Sequence, residues 1–281
     1  MTPLTSPSAL SHSNPSVSVR DLSVNYGPVR ALTGATFDLY PGRVCALVGT
    51  NGSGKSTLFK SMLGIVKAQS GQVQILGLDP AQARKQALLS YVPQSEDVDW
   101  SFPLRVKDVV LMGRYRTMGF FRRPSSQDRQ AVAEALERVD LSDLGDRQIG
   151  ALSGGQRKRA FVARGLAQGA QVLFLDEPFS GVDRNSQGTI TRLLKSLAQQ
   201  GATVLVSTHD LESLPELASE ALLIQKRILM HDRIETVLRP ENLSLAFGAA
   251  ETAPDSAPEV VPHSATETAP DSVAQKELTN V

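Results

Sequence analysis

The segment Gly49-Thr50-Asn51-Gly52-Ser53-Gly54-Lys55-Ser56 has the spacing G-x-x-x-x-G-K-[ST]. Glycines admit positive φ, so successive backbone N–H groups can curl around a phosphate. A helix starting near Lys55 would aim its positive end at the same point. Lys55 then supplies a mobile cation for β- and γ-phosphates, and Ser56 a hydroxyl for Mg²⁺. Further along, the apolar run 172–175 ends in Asp176 and Glu177. Adjacent acids repel, and a bound cation relieves that repulsion. Asp176 suits a water-mediated hold on Mg²⁺. Glu177 suits orienting or deprotonating an attacking water. A third element, Leu152-Ser153-Gly154-Gly155-Gln156, precedes a long helical pattern. Ser153 is a natural N-cap, and Gly154 and Gly155 leave backbone N–H groups open to an anion. One domain cannot easily aim two phosphate-binding devices at the same γ-phosphate, whereas two chains arranged head to tail can. Taken singly, each element has a plainer reading: a Gly-rich turn with an exposed lysine, or an acidic turn after a strand.

The elements that must position these residues are legible in the apolar pattern. Val17–Tyr26 and 35–39 read as an opening antiparallel pair. Residues 43–48 form a buried strand feeding the phosphate loop, and 55–63 the helix after it. Residues 103–168 are mostly helical; Val132, Ala135, Leu136 and Val139 fall on one helix face. Strand 172–175 follows, and Pro178 is expected to hold Glu177 extended. Ile190, Leu193, Leu194 and Leu197 mark another helix face, before strand Thr203–Ser207 and a helix from Leu211. Strands alternating with helices predict an α/β fold with a mainly parallel sheet covered on both faces. An antiparallel β subdomain and a helical subdomain, about 95–168, complete it. The folded unit is expected over 17–248, between a Ser/Pro-rich leader (1–16) and an acidic Pro/Ala/Thr-rich tail (249–281) with ETAPDS twice. Neither flank has enough apolar surface to order itself.

The bulk properties exclude several classes. Lys+Arg and Asp+Glu both number 29, so no basic stripe speaks for nucleic acid. Cys45, the single cysteine, reads as core filler in a reducing compartment. The histidines His12, His209, His231 and His263 look scattered, without a ligand cluster. No apolar run approaches the ~20 residues that span a bilayer, and no signal peptide is evident. A cytoplasmic chain is expected.

The phosphate loop, the LSGGQ of 152–156 and the LFLDE of 173–177 occur in an order and spacing that resemble the ATP-binding subunits of ABC transporters, over roughly 17–240. The resemblance implies ATP and Mg²⁺ as ligands. It implies ATP contacts at Tyr26, which would stack on adenine, and at Gly49 through Thr57. It also implies contacts from Ser153, Gly154, Gly155, Gln156 and Asp183 of a second copy in a head-to-tail ATP-sandwich dimer. Gln94 would contact Mg²⁺ with Ser56 and Asp176, and would sense the γ-phosphate. His209 would hold the γ-phosphate and attacking water beside Glu177.

Three readings share these motifs: importer ATPase, exporter ATPase, and a soluble ATPase of repair or assembly. No sustained heptads mark a coiled-coil insertion, and there is one phosphate loop. A finer resemblance favours import. The stretch 92–103, the run Met112-Gly113-Arg114-Tyr115 and the run 120–124 look like the bacterial manganese, zinc and iron uptake branch. That implies separate integral-membrane permease subunits, an extracytoplasmic substrate-binding protein, and a peripheral place on the cytoplasmic side of the inner membrane. Residues 98–123 hold Trp100, Phe102, Phe120 and Phe121 with Arg114, Arg116, Arg122 and Arg123, a mixture that partner surfaces favour. They are the expected permease groove; on composition alone, Trp100 and Phe102 could equally pack within the helical subdomain.

Overall fold

The computed structural model describes residues 14–94, 103–119 and 121–248. The tail, most of the leader, Trp100, Phe102 and Phe120 lie outside the described residues. Ser16, assigned to the leader, is buried and tied to the sheet just before β1: its N–H donates to the Leu39 carbonyl at 2.8 Å and its own carbonyl accepts from Leu76 at 2.7 Å.

Strand β1 (Val17–Tyr26) pairs antiparallel with β2 (Val29–Leu39), which starts earlier than the apolar run 35–39 indicated. Next come β3 (Val44–Val48), helix α1 (Lys55–Met62) and β4 (Ser70–Ile75). Strand β4 completes a three-stranded sheet in the order β2-β1-β4. Its glutamines alternate with Val73 and Ile75, so half of it faces water and an apolar count passes over it. Helix α2 (Pro80–Lys85), β5 (Leu89–Val92), and helices α3 (Val106–Leu111), α4 (Ser126–Arg138) and α5 (Gly154–Gln168) follow. Then come β6 (Val172–Asp176), α6 (Arg184–Gln199) and β7 (Thr203–Ser207). The chain continues through α7 (Leu214–Leu217), β8 (Glu220–Ile224), β9 (Ile228–Arg233), α8 (Ile234–Val237) and α9 (Pro240–Phe247). The helix expected from Leu211 is only one turn, Leu214–Leu217, with Pro215 in that first turn, where its missing N–H costs nothing.

The second sheet runs β5-β6-β7-β3-β8-β9, parallel except for the last pair. Side chains alternate across β3. Val44, Ala46 and Val48 pack with α5 and α6, while Cys45 and Leu47 pack with α1 and the antiparallel sheet. Both helix faces read from the sequence are buried: Val132, Ala135, Leu136 and Val139, and Ile190, Leu193, Leu194 and Leu197. Among the described residues no helix is long and apolar enough to cross a membrane.

The helical subdomain turns on one carboxylate. Asp128, in the first turn of α4, accepts from Thr117 Oγ1 at 2.6 Å, Ser125 Oγ at 2.7 Å and Arg114 Nε at 3.0 Å. Arg114 also donates to the Ala167 carbonyl in α5 at 2.9 Å. Arg114 therefore does not line an exposed groove as its place among the arginines of 98–123 implied; the buried Asp128 draws it inward. Beside it, a Cβ on Gly113 would collide with the Arg164 carbonyl, so this segment lies directly on α5. Hydrogen bonds from Thr117 and Ser125, then Arg114, hold the Asp128 carboxyl well below the usual carboxylate range. Asp128→Ala is expected to cost about 3 kcal/mol of unfolding free energy, the scale for removing one partner of a buried ion pair. A denaturant titration reads it. Because the folded-state pKa is depressed, this contribution is present above the ordinary value of about 4 and drains away as pH falls below it.

Candidate functional site

Strand β3 delivers the chain into the phosphate loop beneath the end of β8. A Cβ on Gly49 would run into the Ile224 carbonyl and sit 2.6 Å from Ser53 Oγ, so only glycine passes. Gly54 caps α1 at φ 100°, with the Ala31 carbonyl 2.8 Å from where a Cβ would stand. Lys55 Nζ donates to the carbonyls of Gly49 at 2.7 Å and Thr50 at 3.0 Å. Burial pushes the Lys55 pKa down, against the opposing pull of Glu177 and Asp176.

Strands β6 and β7 present the acids. Asp176 is buried; Ser207 Oγ donates to its Oδ1 at 2.5 Å and the Tyr91 hydroxyl to its Oδ2 at 3.3 Å. Glu177 Oε2 lies 2.8 Å from His209 Nδ1, with the histidine ring open to solvent. The expectation that Pro178 holds Glu177 extended is wrong: φ is 49°, in the left-handed region. The chain must turn sharply off β6, and the Glu177 N–H is tied to Ser207 through its hydroxyl at 3.1 Å and its carbonyl at 3.2 Å. Strain of this kind gathers where side chains must be aimed.

One cleft of about 410 Å³ is lined by Tyr26, Thr50, Asn51, Gly52, Gly54, Lys55, Ser56, Thr57, Gln94, Asp176, Glu177 and His209. Ser56, Gln94 and Asp176 offer only oxygen donors of hydroxyl, amide and carboxylate type, a hard set that fits Mg²⁺. Ser153, Gly154, Gly155, Gln156 and Asp183 form a second group away from this lining. Ser153 caps α5 in a reciprocal pair with Gln156, its Oγ accepting from the Gln156 N–H at 3.3 Å while Gln156 Oε1 accepts from the Ser153 N–H at 2.9 Å. Gly154 and Gly155 pack against Gly181 and Ser186 with no room for a Cβ. Asp183 caps α6, accepting from the Ser186 N–H at 3.0 Å, and that bond lowers its pKa.

Three residues at the site escaped the sequence reading. Ser207 and Tyr91 orient Asp176; Ser207 ends a strand read only as an apolar run, and Tyr91 lies in β5, which the sequence reading did not mark as a strand. Lys158 is buried and donates to the carbonyls of Pro93 at 3.4 Å and Glu177 at 3.3 Å, so it joins the Gln94 segment to the acidic turn. Burial lowers its pKa. Flanked by Arg157 and Arg159, it looks like part of a solvated basic face, and no sequence signal sets it apart. The histidines also differ from expectation: Cys45, Glu220 and His231 bring potential ligand atoms within 4.8 Å of one another.

The family model described as ABC transporter matches residues 32–180. The manganese transport system ATP-binding protein MntA of Synechocystis sp. is 49% identical over 233 residues, covering 83% of this chain and 90% of that protein. The chelated iron transport system membrane protein YfeB of Yersinia pestis is 49% identical over 235 residues, covering 83% and 79%. A solved structure, described as a provisional metal-chelate type ABC transporter in an inward-facing conformation, superposes with TM-score 0.74 at 32% identity over 84% of this chain and 90% of that one. With its phosphate loop and LSGGQ inside the matched region, the chain belongs to the ABC transporter family.

Proposed function

We propose that this chain is the ATP-binding, ATP-hydrolysing subunit of an importer that takes up a divalent metal ion, manganese, zinc or iron, through a separate permease. Two copies work head to tail, each nucleotide held between the phosphate loop of one and the LSGGQ of the other. The observation that carries this reading is the division of the phosphate-binding parts: Lys55, Ser56, Gln94, Asp176, Glu177 and His209 share one cleft, whereas 153–156 open α5 outside it.

In this reading Tyr26, half-exposed at the cleft edge, stacks on adenine. The N–H groups of 49–57 and Lys55 cradle the phosphates. Ser56, Gln94 and Asp176 would hold Mg²⁺, which when bound offsets charge on the β- and γ-phosphate oxygens. Glu177 takes or orients the proton of the attacking water, and His209 keeps that carboxylate in place. As the water oxygen bonds to the γ-phosphorus, the bond to the bridging oxygen breaks and ADP leaves with that oxygen. Asp183, capping α6 beside the LSGGQ turn, would cross to the partner copy.

A groove of about 410 Å³, lined by Leu63, Ile65, Pro93, Met112 and Arg164 among others, adjoins Gln94 through Pro93. Ile65 is 60% exposed and Met112 41%, an apolar pair suited to a cytoplasmic helix of the permease. A substrate-binding protein would deliver the ion outside, and this chain would sit on the cytoplasmic face of the membrane. The similarity to manganese and iron transport proteins supports the choice of cargo. Ile65→Asp is expected to cost about 2 kcal/mol or more of assembly energy and to abolish metal uptake in cells, with the ATPase rate of the isolated chain unchanged. Normal uptake of manganese, zinc and iron in a deletion strain without compensating transporters contradicts the cargo; parallel loss of ATPase activity in Ile65→Asp contradicts the groove.

A further inference from the structure

Cys45 lies on β3, an inner strand of the six-stranded sheet, directly opposite Glu220 in the β3–β8 register. His231 stands opposite Leu222 in the β8–β9 register, two residues along from Glu220, and so on the same face of the sheet. A thiol, a carboxylate and an imidazole thus meet across three adjacent strands, every pair of potential ligand atoms within 4.8 Å. Glu220 uses one oxygen only: Oε2 is 3.1 Å from Arg43 Nη1 and 3.9 Å from His231 Nε2. Its Oε1 is buried with no hydrogen-bond partner among the described residues. An orphaned carboxylate oxygen carries a desolvation cost that a cation would offset. Cys45 is fully covered, and burial first, then the nearby Glu220 charge, pushes its thiol pKa well up.

We propose that Cys45, Glu220 and His231 form a binding site for a divalent transition-metal ion of zinc type, at the start of the strand that carries the phosphate loop. The donor set decides the class of ion. Thiolate and imidazole favour zinc-like borderline ions over magnesium or calcium, which take oxygen. Three protein ligands with a fourth position for water is a common zinc arrangement. Ligand atoms around tetrahedral zinc stand about 3.5 Å apart, so rotation of the three side chains by about 1 Å closes the site. Binding replaces the thiol proton: the S–H bond breaks, the proton leaves to solvent, and the sulfur pair bonds the metal. Glu220 Oε1 supplies the second negative charge while Oε2 keeps Arg43. His231, partly open at the sheet edge, marks the entry side. An ion here ties β3 to the β8–β9 hairpin, the pair of strands beneath which the phosphate loop passes.

Cobalt(II) is the probe, because its bond to thiolate absorbs in the near ultraviolet and Cys45 is the only cysteine of the sequence. The full-length chain without nucleotide is expected to bind one Co²⁺ with a thiolate-to-cobalt band, and Zn²⁺ to displace it. Cys45→Ser removes the band. His231→Ala weakens Co²⁺ binding at least ~10-fold, as loss of one metal-site group typically does, with the metal-free melting temperature unchanged. Bound cobalt without a thiolate band in the wild-type chain, or unchanged affinity in His231→Ala, overturns the proposal. No ATP hydrolysis enters these readouts, so their failure leaves the ATPase reading untouched.

Discussion

Glu177→Gln is expected to hydrolyse ATP about 10²–10⁴-fold more slowly than the wild-type chain, the range for losing a positioned general base. The substitution keeps the shape of the side chain and can keep a hydrogen bond to His209, 2.8 Å away. It removes the one property the chemistry needs, a carboxylate able to take a proton from water. Binding of ATP is expected to survive, because the phosphate loop, Lys55 and Asp176 are unaltered. The paired state should then persist, and the variant should elute as an ATP-dependent dimer in size-exclusion chromatography. Steady-state turnover near wild type rules Glu177 out as the base. The left-handed backbone at Glu177 adds to the argument, since a non-glycine residue at φ 49° is retained only where its surroundings over-determine it.

The parts of this molecule that repeat are the parts its sequence displays. Strand β3, the glycine loop and α1 follow from an apolar run, the G-x-x-x-x-G-K-S spacing and a helical period, and the structure has them within a residue. The two amphipathic faces on α4 and α6 are buried as their 3.6-residue period requires. What stays hidden depends on contacts distant in sequence. Arg114 resembles any exposed arginine until Asp128 is found beneath it. Lys158 resembles a surface lysine until α5 is packed against the turns at Pro93 and Glu177. Cys45 resembles plain core until register brings Glu220 opposite and His231 alongside. Local rules also mislead where a turn is under tension: the residue before proline usually stays extended, but Ser207 holds Glu177 elsewhere. Lys55, Ser56, Asp176 and Glu177 share the cleft as their motifs imply, whereas Tyr26, Gln94 and His209 were placed there by resemblance alone. The separation of LSGGQ from that cleft was legible only as an argument about geometry, that one domain cannot aim two phosphate cradles at one place.

That separation yields the second large effect. Lys55→Ala removes the cation that faces the phosphates and should itself weaken nucleotide binding. Ser153→Arg places a bulky cation where the N-cap of α5 should meet the other copy's nucleotide. The isolated subunit should still bind ATP, while turnover is abolished. Each variant alone is expected to be inactive. Mixed, they form heterodimers in which one site joins an intact phosphate loop to an intact LSGGQ and the other site has both halves damaged. The decisive measurement is phosphate release by an equal mixture of Lys55→Ala and Ser153→Arg chains, with heterodimer formation verified independently. Random pairing of two subunit types predicts recovery to about a quarter of the wild-type rate per chain; heterodimers that form and release no phosphate contradict two independently working sites shared between copies.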